Sequence, residues 1–323
     1  MLVKTKEVAP SVYAITIPTP FLVGPVNVYV IEGEALTLVD TGVKTDEAKK
    51  VLAYELGELG YSFSDIELVV LTHHHPDHIG LVEEFGHATI AAHPKTEPWL
   101  KGDPLFVEEK NAFFRKLYIA HGVEANIVDL IEKTNSFYMK YSSTMDVEVY
   151  LREGNYIDGL PGWTVIETPG HAQSQISLYR ESDGILISGD HLIAHISSNA
   201  IIEAPYGDET ERPKTLLQYR DSLRKCLHVK RAFSGHGEPV DNPKKLIEER
   251  LQKQVEKAKG IKYLLGEERL TSFEICKRLY PQMYTKQPGL TLSETLGHLD
   301  LLEEMGQVTA VKEGNVYIYS AVE

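Results

Sequence analysis

A chain of 323 residues has room for one large domain and a smaller one, and 42% hydrophobic content is ordinary for a globular protein. Its net charge is −14, with lysines and arginines scattered among more numerous acids; this disfavours a long-lived grip on a polyanion, which needs a clustered positive footprint. No apolar run has transmembrane length, the N-terminus lacks the apolar stretch of a signal peptide, and Cys226 and Cys276 lie too far apart in sequence to suggest a disulfide framework. We therefore expect a cytoplasmic protein with no membrane partner.

Val12 to Ile17 and Val26 to Ile31 read as strands, interrupted by Pro18, Pro20 and Pro25. Leu38-Val39-Asp40-Thr41-Gly42 sets a carboxylate at a turn, where it can cap the turn or serve a site. Ile66 to Leu71 is a short apolar run of the kind that forms a buried strand. It opens into Thr72-His73-His74-His75-Pro76-Asp77-His78, and a helix begins near Asp77. Imidazole is the commonest protein ligand for zinc-like metals, and carboxylate suits a borderline or harder ion. His73, His75, Asp77 and His78 fall within six residues and can serve two adjacent ions. Core packing rarely yields such a cluster, because buried polar groups are costly without partners. Ala88 to Ala92 reads as a further strand, followed by His93.

Residues 96–156 form a long insertion rich in aromatics, among them Phe106, Phe113, Phe114, Tyr118, Phe137, Tyr138 and Tyr141. Phe113, Phe114, Leu117, Tyr118 and His121 suit one helical stripe, and 126–140 also reads helical. The expectation is a helical pair that packs on the body of the protein and also lines an apolar substrate pocket. Three strand-to-loop segments follow. Thr168-Pro169-Gly170-His171 comes after Trp163 to Glu167, Ser188-Gly189-Asp190 after Gly184 to Ile187, and Ser234-Gly235-His236-Gly237 after Arg231 to Phe233. Each sets one potential metal ligand beside a glycine, which lets the backbone approach a crowded centre. Beyond Asp190, His191 reads as a partner that steadies it, and His195 and Asn199 as candidates for contact with substrate oxygen or for packing.

Asp241-Asn242-Pro243 starts a helix that runs from Lys244 to Leu265. A short helix near Leu270 to Leu279, capped by Thr271 or Ser272, comes next, then a helix from Thr291 to Met305. Gln307 to Val311 and Val316 to Ser320 make a hairpin. Three helices and a hairpin look like a winged helix. The last of the helices carries Glu294, Asp300, Glu303 and Glu304 and no lysine or arginine, so no DNA partner is expected.

The ordered set His-x-His-x-Asp-His, Gly-His, Gly-Asp and Gly-His, with the upstream Asp40 motif, resembles the metallo-β-lactamase superfamily over about residues 10–240. The resemblance implies an α/β fold, an αββα sandwich carrying a helical insertion at about 96–156, in a catalytic domain of residues 1–242. A small winged-helix-like domain would occupy 243–323, as in hydrolases similar to glyoxalase II and in the β-lactamase-like endoribonuclease. It implies two divalent ions, zinc by default and manganese or iron as alternatives. His73, His75 and His171 would hold one, Asp77, His78 and His236 the other, and Asp190 would bridge both; Asp40 would fix the orientation of a ligand. Asp77 and Asp190 would be the carboxylates on which catalysis turns. Two close cations can share a bridging hydroxide that attacks a carbonyl or phosphoryl centre. No Gly-x-Ser-x-Gly elbow is present, which argues against serine hydrolysis.

An aspartate at position 190 matches the glyoxalase II, lactonase and phosphodiesterase branches rather than the antibiotic-hydrolysing ones, which carry cysteine or serine there. The expected activity is hydrolysis of a small acyl substrate, a thioester, ester or lactone. The alternative is a phosphodiesterase or endoribonuclease, so RNA stays open though disfavoured. A non-haem iron redox enzyme and a non-enzymatic DNA-binding regulator rank below both. A homodimer is compatible with the sequence.

Overall fold

The computed structural model describes residues 5–207 and 209–322. The strands in chain order are β1 (Lys6–Ala9), β2 (Val12–Ile17), β3 (Val26–Glu32), β4 (Leu36–Val39), β5 (Leu68–Leu71), β6 (Thr89–Ala92), β7 (Val149–Tyr150), β8 (Tyr156–Ile157), β9 (Leu160–Glu167), β10 (Ile176–Arg180), β11 (Ile185–Gly189), β12 (Arg231–Ser234), β13 (Val308–Glu313) and β14 (Val316–Ala321). The helices are α1 (Asp46–Glu58), α2 (Pro76–Ile79), α3 (Glu97–Lys101), α4 (Pro104–Ala120), α5 (Ala125–Tyr138), α6 (Thr215–Lys225), α7 (Pro243–Leu265), α8 (Ser272–Leu279) and α9 (Pro288–Glu304).

Strands β1 to β7 form one sheet in sequence order, and β12-β11-β10-β9-β8 form a second. Side chains alternate across each strand, and the two faces go to different cores. Val28 and Val30 of β3 pack with Ala48, Leu52 and Leu56 of α1, outside the first sheet. Tyr29 and Ile31 point the other way and meet Trp163, Val165, Ile185, Ile187 and Phe233 of the second sheet. In that second sheet Ile166 and Leu186 face outward, against Leu216, Tyr219 and Leu223 of α6. The layers are therefore helix, sheet, sheet, helix. β5 is wholly apolar, and β6 is apolar after Thr89, because parallel strands covered on both faces have no solvent side to mark with polar residues.

Strand direction gathers the site. β4 and β5 are parallel, β11 and β12 are parallel, and β9 and β11 each run antiparallel to β10, hence in the same sense as one another. The loops that leave these strands are joined across the two sheets. The main-chain NH of Asn27 donates to the Gly235 carbonyl at 2.6 Å, the Tyr29 hydroxyl to the Ser234 carbonyl at 2.6 Å, and the Ile176 NH to the Thr72 carbonyl at 2.9 Å.

Helices α3 to α5 and the short strands β7 and β8 occupy the insertion, so its far end adds an edge strand to each sheet. The expected stripe on α4 is a single face: Tyr118 is buried, and Phe113, Phe114 and Leu117 are half-buried. The chain after Asn242 forms three helices and the β13–β14 hairpin. Thr271 caps α8 in a reciprocal capping box with Glu274. Leu292, Leu296 and Leu299 of α9 and Phe273 of α8 lie in the same apolar cluster as Leu186, Leu216 and the insertion residues Tyr118, Val128 and Ile131. His121, at the end of α4, stacks on Tyr317 and Tyr319 with ring centroids 5.3 and 6.3 Å away. The C-terminal helices thus complete a core that the second sheet and the insertion begin. No helix of the described residues is long and apolar enough to cross a membrane.

A core shared in this way predicts that the full chain unfolds in one cooperative transition. Calorimetric and van't Hoff enthalpies should agree, and two resolved transitions would mean that residues after 242 fold independently.

Candidate metal centre

The β5 strand ends in Leu71, and the chain then turns so that His75 sits at the N-cap of α2, with Pro76 at its first position. Three ring nitrogens converge here. His73 Nε2 and His171 Nε2 each lie 3.0 Å from His75 Nδ1. A second group forms beside it: His236 Nε2 is 3.3 Å from Asp77 Oδ2, and His78 joins both to complete a set whose donor atoms lie within 4.8 Å of one another. Asp190 touches both groups. Its carboxylate oxygens lie 3.4 Å from His78 Nε2, 3.5 Å from His171 Nε2 and 3.4 Å from His236 Nε2. All seven expected ligand side chains therefore come together, as two sets of three with Asp190 between them.

The imidazoles are held by their other nitrogens. His78 Nδ1 is 2.7 Å from Asp40 Oδ2, His236 Nδ1 donates to the Pro25 carbonyl at 2.8 Å, and His171 Nδ1 donates to the Asn199 carbonyl at 3.0 Å. Such contacts fix the tautomer and aim the remaining nitrogen. His73 Nδ1 is 3.0 Å from the Thr72 hydroxyl, and that hydroxyl donates to Asp40 Oδ2 at 2.8 Å. Asp40 also accepts the Thr72 main-chain NH at 2.7 Å. It does so from a left-handed backbone, φ +61°, a conformation that aspartate tolerates better than most residues.

The centre passes a simple test of fit to divalent cations. His78 Nε2, His236 Nε2 and Asp190 Oδ1 are buried and have no hydrogen-bond partner. Buried polar atoms rarely stay orphaned, and here they face one another. Burial works against charge on His78, yet the carboxylates of Asp40, Asp190 and Asp77 outweigh it and hold the ring well above its ordinary range. His236 behaves alike: burial opposes, Asp190 and Asp77 prevail, and its pKa is raised to about 10. Burial would raise Asp190, but His236 and His78 pull it well below the ordinary carboxylate range. Burial and neighbouring rings push His73 and His75 down, so they present free lone pairs. The carboxylates demand positive charge at the places where cations would sit, and metal binding would displace the protons that otherwise supply it.

Glycine is required at 235. A Cβ there would collide with Asp190 Oδ1 and come within 2.8 Å of the His78 ring. Of the other nominated residues, His191 is buried in none of the ligand sets; its ring meets Tyr219 edge-on at 5.3 Å. Burial lowers its pKa to about 3, so the ring is neutral. His195 is exposed, with its ring against Gly237, next to His236: a Cβ on that glycine would lie 2.6 Å from His195 Nδ1. Asn199 serves the site through its main-chain carbonyl, and its side-chain amide turns away to donate to the Leu290 carbonyl at 3.0 Å.

Sequence reasoning passes over two groups of residues. The first is on α6, where the hydroxyls of Thr215, Tyr219 and Ser222 donate to the carbonyls of Ala200, His191 and Pro169 at 2.9, 2.9 and 2.8 Å. The spacing i, i+4, i+7 puts them on one helix face, which pins the loops that carry both His171 and Asp190. The second is beside His74, whose Nδ1 is 2.8 Å from the Ser174 hydroxyl and whose ring stacks on Trp99 at 4.0 Å. The Lys110 ammonium lies 4.4 Å from the Trp99 ring, Trp99 Nε1 donates to Tyr206 Oη at 2.7 Å, and Phe106 meets Trp99 edge-on. Tyr206 in turn donates to the buried Glu203, which also accepts the Gln173 NH at 2.6 Å.

Asp40 and Glu203 each generate a test. Asp40→Asn keeps the shape but sets an amide opposite His78 Nδ1, so metal affinity should fall about 10- to 100-fold in chelator competition; unchanged affinity would remove Asp40 from the assembly. Burial raises Glu203 to about 7 from an ordinary 4.5, despite the hydrogen bonds from Tyr206 and Gln173. The folded state therefore holds this proton more tightly than the unfolded chain does. The stability it contributes is fully present below about 4.5 and is lost as pH rises through about 7. Glu203→Gln should gain stability relative to wild type from about pH 5 to pH 8, read by thermal unfolding across that series; a constant difference would mean that Glu203 does not titrate there.

The model of the metallo-beta-lactamase superfamily matches residues 22–236. The chain is 41% identical to the probable metallo-hydrolase YqjP of Bacillus subtilis (strain 168), over 97% of this chain and 98% of that one. It is 24% identical to a beta-lactamase-like protein 2 homolog of Caenorhabditis elegans, over 81% of this chain and 73% of that one. Among solved structures, a metallo-beta-lactamase family protein from Thermus thermophilus superimposes with a TM-score of 0.82 at 27% identity, covering 98% of this chain and all of that one. A beta-lactamase domain protein from Burkholderia ambifaria shares the fold, with a TM-score of 0.78 at 21% identity over 98% of this chain and 95% of that one. With its five motifs folded to one edge of a two-sheet sandwich, this chain belongs to the metallo-beta-lactamase superfamily.

Proposed function

We propose that the protein is a dinuclear metal-dependent hydrolase that cleaves a thioester, ester or lactone. The observation that carries this reading is the position of Asp190, within 3.5 Å of ring nitrogens from both ligand sets. His73, His75 and His171 would hold one divalent ion, and Asp77, His78 and His236 the other. The donors are imidazole and carboxylate, a set that suits zinc and also fits manganese or iron. When bound, such a pair polarises the attacked oxygen and acidifies a water at neutral pH. The chain's own part is to hold this geometry: Asp40, the Pro25 carbonyl and the Asn199 carbonyl keep three imidazoles aimed inward, and Asp77 and Asp190 keep negative charge opposite the cations.

Two features favour an acyl substrate over a phosphodiester. Phe106 and Tyr206, with Trp99 packed against His74 and Lys110, bring aromatic surface beside the neighbour of His75, which is compatible with an apolar acyl group near the metal edge. The C-terminal elements, whose order is that of a winged helix, offer nucleic acid little, because α9 is largely buried and its Asp300 and Glu294 are paired with Arg212 and Lys257. In this reading the module packs and braces.

The test joins metal analysis to a substrate panel of thioesters, lactones and bis-p-nitrophenyl phosphate. The wild type should hold two ions and turn over at least one acyl substrate. His75→Ala should lose metal and activity together. Asp190→Asn should lose at least one ion, with turnover falling on the order of a hundredfold. Full occupancy in both variants would sink the ligand assignment, and RNA or phosphodiester cleavage without acyl turnover would replace the substrate class.

A further inference from the structure

Arg250 on α7 is a buried cation with no carboxylate within ion-pair distance among the described residues. Its Nη2 donates to two main-chain carbonyls, those of Ile193 and Ile196, and its Nη1 is buried without a partner. A permanently charged guanidinium withdrawn from water is expensive when no anion meets it, and an apolar side chain would fill the same space at less cost. Its Nη2 amino group, held in the guanidinium plane, does something an apolar group cannot do, which is to hold two carbonyls of one turn at once.

The turn it holds lies between the metal-site residue Asp190 and the residue that aims His171. The Ser198 hydroxyl donates to the Asp190 carbonyl. One residue on, the Asn199 carbonyl accepts from His171 Nδ1 at 3.0 Å. The far side of this loop is tied to α9: Asn199 Nδ2 donates to the Leu290 carbonyl at 3.0 Å, and the Ile202 NH to the Ser293 hydroxyl at 3.3 Å. The segment is thus gripped by α7 at its centre and by α9 beyond it. α6 supplies the hydroxyls that meet the His191 and Ala200 carbonyls.

We propose that Arg250 and the side chain of Asn199 are positioning residues through which the C-terminal helices set two metal ligands, Asp190 and His171. The inference rests on the metal-binding reading above. If the 193–199 turn relaxes, the Asn199 carbonyl moves off His171 Nδ1. The ring is then free to rotate or to change tautomer, and its Nε2 no longer stays aimed at His75 and Asp190. The cost falls on metal affinity, because the ligands themselves are unchanged.

The experiment uses the full chain and zinc alone as the probe, titrated against a chromophoric chelator, with circular dichroism and thermal unfolding of the metal-free form as controls. Asn199→Ala keeps the carbonyl that meets His171 and removes only the tie to α9. We expect at least one ion to bind about tenfold or more weakly, with the metal-free melting point nearly unchanged. Arg250→Met, which fills the space without donors, should weaken zinc binding at least as much, and Arg250→Lys, which keeps a donor but not the guanidinium plane, should recover part of the loss. If Arg250→Met does not fold, Asn199→Ala decides. Wild-type zinc affinity in Asn199→Ala, or lowered melting points with affinity intact in both variants, would overturn the proposal by making the contacts merely structural. A wild type that binds no zinc would instead overturn the metal reading on which it stands.

Discussion

The Asp190 carboxylate is buried, and the ring nitrogens of His78, His171 and His236 stand within 3.5 Å of its oxygens. Around it lie His73, His75 and Asp77, equally withdrawn from water or nearly so. Such a cluster has no stable reading as ordinary core. Lone pairs that converge repel one another, and buried carboxylates need compensating charge. Protons can supply it in part, which is why His78 and His236 hold theirs so firmly while His73 and His75 shed theirs. Divalent cations would supply it at both places and satisfy the orphaned atoms as well. The rest of the architecture follows from the need to bring these seven side chains, from loops of two different sheets, to one edge and hold them against their mutual repulsion.

That holding is done by main-chain and hydroxyl groups more than by other charges. Asp40 binds one imidazole and also fixes the backbone at Thr72, so a single carboxylate orients His78 and the start of the ligand loop. Two further rings are aimed by carbonyls, of Pro25 and Asn199. The α6 hydroxyls and the Arg250 guanidinium then fix the loops themselves. Carbonyl and hydroxyl partners have a physical advantage here: they set direction without adding net negative charge beside ligands whose basicity decides which ion is held.

The candidate ligand cluster and the sandwich are legible in the sequence because the seven side chains that converge sit in short motifs directly after apolar runs. The run from Ile66 to Leu71 reads a little longer than the strand it makes, since only Leu68–Leu71 pairs, but the loop that follows falls where the motif puts it. The order of C-terminal elements is also readable, from the Pro243 start and the Thr271 cap. What is not readable depends on tertiary contact. α6 carries Arg220, Asp221, Arg224 and Lys225 among its apolar residues, so its buried stripe of Leu216, Tyr219 and Leu223 gives a weak local signal. Its Thr215, Tyr219 and Ser222 become meaningful only once the helix lies over both ligand loops. Trp99 gives no local sign that it meets His74, because the contact joins an insertion to a motif through space. Asn199 reads as a candidate for substrate through its side chain, whereas the structure uses its carbonyl, an atom that every residue has and that no pattern reveals.

The distribution of acid explains the role left to the C-terminal elements. The acids of α9 would repel a nucleic-acid backbone if the helix were offered to one, but most of that helix faces the core. Asp300 is taken by Arg212 in a bidentate pair at 2.7 and 2.5 Å, and Glu294 by Lys257 at 2.6 Å. What α9 presents toward the metal edge is uncharged: the Leu290 carbonyl and the Ser293 hydroxyl, both bonded to the segment that follows Asp190. An element that pairs two of its acids inside the chain, leaves Glu303 and Glu304 at its far end, and bonds the loop after Asp190 through uncharged groups fits a bracing role better than a nucleic-acid contact. The loop that follows Asp190 thereby has a wall of α9 behind it as well as α6, and the three helices beyond His236 are joined to the candidate metal edge through that loop.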